Sequence, residues 1–432
     1  MEAFGYFVTT FQQYLWSFPM LFLLLGTHLY FTFRLRFIQR KVPKGIRLSI
    51  SGNKQGFPAL ATALAATIGT GNIVGISTAI AIGGPGAVFW CWVTGVLGIA
   101  TCYGECFLSA KYRVKKADGT YGGGPMYVLE HVLHRKGMAA AFSLFTVLAA
   151  FGIGSSVQAH SIRMAVQEQV DISPHFIGIT AGVLAGMVII GGSRQIAKVC
   201  TWLVPAMSIF YLGGCVLIIF LNYRVLGETV RLIFSSAFTL PAAGGGLAGS
   251  AFMAAMRTGI SRGLFTNEAG LGSIPMTAAT AETKSPVEQG LISMTGPFWD
   301  TVVMCAITGI SSVSSMIAHP EAYENVAMDK MCFAAFSQLP FFGEEMLSVS
   351  LVMFAFATII GWNVYGECAA EYLWGEGGKK VFQVVYMLFV YLGAVMSLDI
   401  VWGLSDLFNS FMAIPNLLCL WMLRKTVISE SA

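Results

Sequence analysis

Charge is what this sequence has least of. Asp, Glu, Lys and Arg make up 11% of 432 residues, against about 25% in an ordinary soluble domain. So few charges cannot clothe a globular surface, and with a mean hydropathy of +0.70 they point to a polytopic helical membrane protein. Two motifs are also missing. Without Gly-Lys-Ser/Thr or His-Glu-x-x-His, ATP-driven pumping and zinc proteolysis have no support, and no nucleophile–base set suggests an enzyme. The first sixteen residues hold no Lys or Arg, so a cleavable signal with its basic start is not expected. The nine cysteines lie mostly in apolar runs, and Cys102 and Cys106 stand at i, i+4 without a second ligand pair. They read as small buried side chains, with no disulfide framework and no metal cluster.

What is present is a series of apolar runs. Eleven spans are expected, at about 17–38, 57–82, 86–110, 138–162, 174–192, 199–221, 244–271, 289–314, 346–370, 379–399 and 401–423. Basic residues fall on alternate connections. The first carries Arg34, Arg36, Arg40, Lys41, Lys44, Arg47 and Lys54 without an acid, and Lys111, Arg113, Lys115, Lys116, Arg135 and Lys136 follow the third span. The external side gets Arg163, Arg224, Arg231 and Lys330, with several acids between 315 and 345. The positive-inside rule then places the N-terminus outside and the C-terminus in the cytoplasm of a multi-pass protein.

Two spans are punctuated. Span 2 holds Gly69-Thr70-Gly71-Asn72, and span 7 holds Arg257-Thr258-Gly259-Ile260-Ser261-Arg262-Gly263. Glycine costs a helix about 1 kcal/mol relative to alanine, so both are expected to unwind. Broken helices at membrane depth survive only where protein or a polar cavity satisfies the freed backbone. Their half-helix ends present N–H groups to anions and carbonyls to cations. Spans 2 and 7 are five apart and enter from opposite sides, the signature of an inverted repeat, spans 2–6 (57–221) against 7–11 (244–423), with span 1 in front. The plainer reading of each glycine cluster is close helix packing.

Several segments are recognisable. Gly69-Thr70-Gly71-Asn72, Gly83-Gly84-Pro85-Gly86-Ala87-Val88-Phe89-Trp90, Gly123-Gly124-Pro125 and Arg262-Gly263-Leu264-Phe265-Thr266-Asn267-Glu268-Ala269-Gly270-Leu271-Gly272-Ser273 resemble signatures of the alanine or glycine:cation symporter family, within the amino acid-polyamine-organocation superfamily. The resemblance covers nearly the whole chain in order and spacing. It implies an all-α, leucine-transporter-like 5+5 fold in a prokaryotic plasma membrane. It also implies symport of alanine or glycine with Na⁺, or in some members H⁺, with no organic cofactor, enzyme activity or nucleic-acid partner. A channel is the rival from another class, and would need a continuous polar pore.

By that resemblance Thr70, Gly71 and Asn72 cradle the substrate carboxylate, with Gln158 as a further donor. Met256, Thr258, Gly259 and Ile260 would face the ammonium and side chain. Trp362, one turn from Thr358, would floor a pocket with room for little more than a methyl group. Sodium is expected on Ala65, Thr67, Ile68, Asn72 and Thr358, with Ala357 standing where relatives often carry Ser or Thr. Glu105 and Asp300 lie inside spans 3 and 8, where a central acid costs roughly 2.5–3.5 kcal/mol. They read as ion ligands, proton carriers or partners of Arg257 or Arg262, and Glu268 as a gating or helix-end acid. Glu367, Glu371, Asp399 and Asp406 are expected to be solvated, and no mid-span histidine is counted among the candidates.

Overall fold

The computed structural model describes residues 15, 18–51, 56–116, 119–238, 247–281, 283–324, 326–396 and 399–431. They are mostly helical, joined by short connections, and a two-stranded antiparallel hairpin pairs Val114–Lys115 with Tyr121–Gly122. The apolar stretches become helices at Phe18–Arg34, Gly86–Lys111, Lys136–Gln167, Pro174–Ile189, Gly192–Leu221, Leu247–Asn267, Pro286–Ala318, Gly343–Val395 and Asp399–Met422. Five of the described helices are long and apolar enough to cross a membrane by themselves, and up to eight spans result if each sharply bent pair counts as one. Trp202, Ile209 and Phe220 on Gly192–Leu221 are largely exposed, an outward apolar face suited to lipid.

Chain chemistry explains the main turns. After Phe18–Arg34 the backbone swings through Arg36 and Phe37, both at positive φ, and bends 68° into a basic amphipathic segment, Ile38–Ile50. Gly84 adopts φ +70° before Pro85. A methyl group on the following Gly86 would lie 2.6 Å from backbone of Ser236 and Ala237, so the amphipathic helix Leu226–Phe238 docks against this turn. The expected separation of spans 9 and 10 reduces to one residue: Gly343–Val395 runs on as helix except at Gly375 (φ 70°, ψ −166°), a conformation glycine adopts without strain.

The expected break at Arg257–Gly263 does not occur. Leu247–Asn267 is continuous, and the backbone instead unwinds just beyond it, where Glu268, Gly270 and Gly272 have φ of 52°, 89° and 87°. Helix resumes at Ile274–Thr280. The glycines serve packing. A methyl on Gly259 would sit 2.3 Å from the Ala87 carbonyl oxygen, and one on Gly263 2.0 Å from Thr94 Oγ1. Gly259-x-x-x-Gly263 is thus a small-residue seam that lets this helix lie against Gly86–Lys111.

Two spans contain π-helical turns, at Ala150–Ser156 and Phe298–Cys305. Such turns widen the helix by one residue and often lie at functional positions. The first precedes Gln158 and the second contains Asp300.

Candidate functional site

The α-helix Gly56–Thr67 stops, and after a short 3₁₀ turn at Thr70–Asn72 the chain resumes as Val74–Gly83. The two halves differ in direction by 60°. In an unbroken helix the Gly69 N–H would donate to Ala65 and the Asn72 N–H to Ile68. Here Gly69 N–H donates to Asn72 Oδ1 at 2.9 Å, and Asn72 N–H to the Gly69 carbonyl at 3.1 Å. The Ala65 and Ile68 carbonyls therefore lose their helical donors.

Thr358 stands beside this opening. A methyl on Gly69 would lie 2.6 Å from Thr358 Oγ1, and one on Gly361 2.6 Å from Ala66 N, so two backbones meet with nothing between them. Thr358 Oγ1 and Thr67 Oγ1 are buried without a hydrogen-bond partner. Unpaired hydroxyls next to freed carbonyls form an oxygen donor set that fits a hard cation, so the residues expected to hold sodium fit that ion. Ala357 is fully buried and adds no side-chain oxygen.

Other expected residues converge from a distance in sequence. Thr70 Oγ1 donates to Gln158 Oε1 at 3.2 Å, while Gln158 Nε2 donates to the Ile153 carbonyl of the π turn at 3.0 Å. Asn72 is committed inward. Its Nδ2 donates to Asp300 Oδ1 at 2.7 Å and to the Asp300 carbonyl at 3.1 Å, which leaves the amide no donor for a substrate carboxylate in this conformation. Asp300 also accepts from Thr301 Oγ1 at 2.7 Å. The Asn72 side chain thus ties the first break to a buried acid.

The second break is held the same way. Glu105 accepts the Gly270 N–H at 3.2 Å and Asn416 Nδ2 at 2.8 Å, and Asn416 also donates to the Gly270 carbonyl at 2.9 Å. Glu268 accepts Ser273 Oγ at 2.6 Å. All three acids are buried. Their partners are amides, hydroxyls and backbone N–H groups rather than the expected Arg257 or Arg262. Carboxylates that accept backbone and amide donors satisfy groups an interrupted helix would otherwise leave exposed.

A cavity of about 280 Å³ reaches the first break, lined among others by Thr70, Gly71, Val74, Ser161, Arg262 and Phe265. Leu247–Asn267 contributes Arg262 and Phe265 to its wall, and the same helix packs on the break: a methyl on Gly71 would lie 3.0 Å from Thr266 Cγ2 and 3.7 Å from the Phe265 ring. Met256, Thr258, Gly259 and Ile260, expected to contact the ammonium and side chain, are not among its lining residues. They lie higher on the same continuous helix, with Gly259 against Ala87 and Trp90. Trp362 is not a lining residue either; it is buried against Gly154, one turn before Gln158, and edge-on to Tyr365 at 5.4 Å.

The family follows from comparison with known proteins. The description "Sodium:alanine symporter family" matches residues 1–432. The chain belongs to that family. Within it, this member is 43% identical over 97% of its length to an uncharacterized transporter of Haemophilus influenzae, 94% of which is covered. It is 41% identical over 98% of its length to the sodium/alanine symporter AgcS of Methanococcus maripaludis, with 96% of that chain covered. In fold it is similar to an outward-open, substrate-bound Na⁺-coupled sialic acid symporter, with a TM-score of 0.55, 11% identity, and 96% and 84% of the two chains covered.

Sequence reasoning passed over three residues of this family member, Asn416, His28 and Phe265. Asn416 follows a proline inside Asp399–Met422, and a buried amide beside a helix-disrupting residue was the available signal. His28 lies mid-helix in Phe18–Arg34, fully buried, with Nδ1 2.7 Å from Thr101 Oγ1. Phe265 stands in the family signature, where nothing local marks it as a cavity wall, and Arg262, expected as a partner of the buried acids, lines the cavity instead. Glu367, expected in solvent, is buried and accepts Gln383 Nε2 at 2.6 Å, and Glu371 pairs with Lys116 at 2.6 Å. Both are drawn inward because the helix continues past the expected end of span 9. The side chain of Asp399 lies outside the described residues, and Asp406 is half-buried.

Proposed function

We propose that this protein is a secondary active symporter that imports small neutral amino acids, alanine and glycine, together with Na⁺ by alternating access. In this reading it spans a bacterial or archaeal plasma membrane eleven times, one leading span before two inverted sets of five, with the N-terminus outside and the C-terminus in the cytoplasm. One observation carries the reading. At the first break the Ala65 and Ile68 carbonyls are freed and the Thr358 hydroxyl beside Gly69 is unpaired, while Thr70 and Gly71 of the same segment border the cavity. A cation and a carboxylate are thereby offered neighbouring places on one unwound segment.

Sodium on that segment would hold it open and so complete the amino-acid site, which makes the two bindings mutually favourable. Inward movement at the second break would then release both. One charge moved across 100 mV is worth about 2.3 kcal/mol, enough for accumulation of some tens-fold. The relative named as a sodium/alanine symporter supports both ion and substrate. The three buried acids at the breaks support proton coupling as the second reading, because a carboxyl group can carry the proton through the same conformational cycle. Uptake of ¹⁴C-alanine into proteoliposomes, with Na⁺ and pH gradients imposed separately, distinguishes them. Uptake should follow the Na⁺ gradient, and equal uptake on a pH gradient in sodium-free buffer overturns the sodium reading.

A further inference from the structure

The cavity above the first break is lined by three side chains that carry or can carry positive charge, Arg262, Lys330 and His160, and one acid, Glu168. Lys330 is held by Glu168, Nζ to Oε2 at 2.8 Å, and His160 Nδ1 lies 3.0 Å from the Arg163 guanidinium. Arg262 differs. Among the described residues it has no hydrogen bond and no ion pair, although its half-buried position removes part of its hydration. Much of the remaining lining is apolar: Val74, Met164, Ala165, Phe265, Phe333 and Leu351. Such walls concentrate the field of an uncompensated charge within the cavity.

Its placement is fixed. Gly263 clamps this part of the helix to Thr94 and Cys91. Phe265, three residues on and therefore on the same face, also lines the cavity, and with Thr266 it meets Gly71. Arg262 thus stands about one helical turn before the point where Leu247–Asn267 touches the unwound segment. Its planar fork matches a carboxylate with two parallel N–H donors.

We infer that Arg262 forms an outer docking site for the carboxylate of the incoming amino acid, before that carboxylate is handed one turn onward to the N–H groups at Thr70 and Gly71. This rests on the amino-acid reading above and adds a second position on the substrate's path. A docking cation that captures the carboxylate before the inner site acts mainly on the rate of association.

The test is rapid mixing of the purified full chain with alanine, glycine or serine at saturating Na⁺, followed by intrinsic fluorescence. In the wild type, propionate, a carboxylate without the ammonium, should slow alanine association by occupying the arginine. Arg262→Gln should lower the association rate constant about tenfold and leave dissociation nearly unchanged. Arg262→Lys, which keeps the charge and loses the fork, should fall between the two. A wild-type rate that propionate does not change overturns the docking site, and needs no variant to fold. An unchanged association rate in Arg262→Gln also overturns it, while leaving the symport reading intact. If the wild type binds none of the three amino acids, both fall.

Discussion

Replacing Asn72 by alanine separates two roles that the sequence assigned to one side chain. The amide accepts the Gly69 N–H and donates to Asp300 through side chain and carbonyl. A hydrogen bond to a charged group contributes about 1.5–3 kcal/mol and a neutral one about 1 kcal/mol. Removing the side chain frees the Gly69 N–H to return to the Ala65 carbonyl, which restores helix where sodium would otherwise find an oxygen. The loss therefore falls first on the ion. With about 1.4 kcal/mol per factor of ten, the half-saturating Na⁺ concentration should rise ten- to hundredfold, whereas alanine affinity at saturating Na⁺ should move by less than about threefold. Asp300→Asn keeps the shape and an acceptor, so its sodium shift should be smaller. The assay is a pair of titrations on purified protein, Na⁺ at fixed alanine and alanine at saturating Na⁺. An unchanged sodium requirement with weakened alanine binding would show that Asn72 contacts the substrate instead, and the reasoning from the Gly69 bond would be refuted.

Four further outcomes are expected. Thr358→Ala removes an unpaired hydroxyl at the break and should raise the sodium requirement of uptake more than the alanine requirement, read from initial rates in proteoliposomes. Gly263→Ala forces a methyl onto Thr94 and should destabilise the protein by about 1–3 kcal/mol, seen as a lower melting temperature in detergent, with a similar loss for Gly259→Ala. Phe265→Ala should let leucine compete better against labelled alanine, because Phe265 walls the cavity beside Gly71. Trp362→Ala should leave leucine competition unchanged and cost stability, about 3–5 kcal/mol for a buried tryptophan.

Long apolar runs made the helices legible, since twenty or so residues without charge admit few other structures in a bilayer. The first break was legible too: Gly69, Gly71 and Asn72 lie together, and local unwinding needs only local weakness. The second was misplaced because glycine carries two meanings. At 259 and 263 it permits close approach of another helix, and at 270 and 272 it adopts positive φ; a single sequence does not separate them. Partners were beyond reach for a different reason. Asn72 with Asp300, and Glu105 with Asn416, are joined across more than 200 residues, and nothing local in either segment specifies the other.

The seam between Leu247–Asn267 and Gly86–Lys111 has a mechanical consequence. Interlocked through Gly259 and Gly263, the two helices would move as one stiff lever, and the adjoining break in the helix lies at Glu268–Gly272. That lever grips its own pivot, because Glu105 projects from Gly86–Lys111 onto the Gly270 N–H. In a symport cycle, a tilt that closes the cavity would either carry this pivot with it or break the hold of Glu105 and Asn416 on Gly270. The rate of reorientation would then be set at a cluster of buried hydrogen bonds rather than at the ligands.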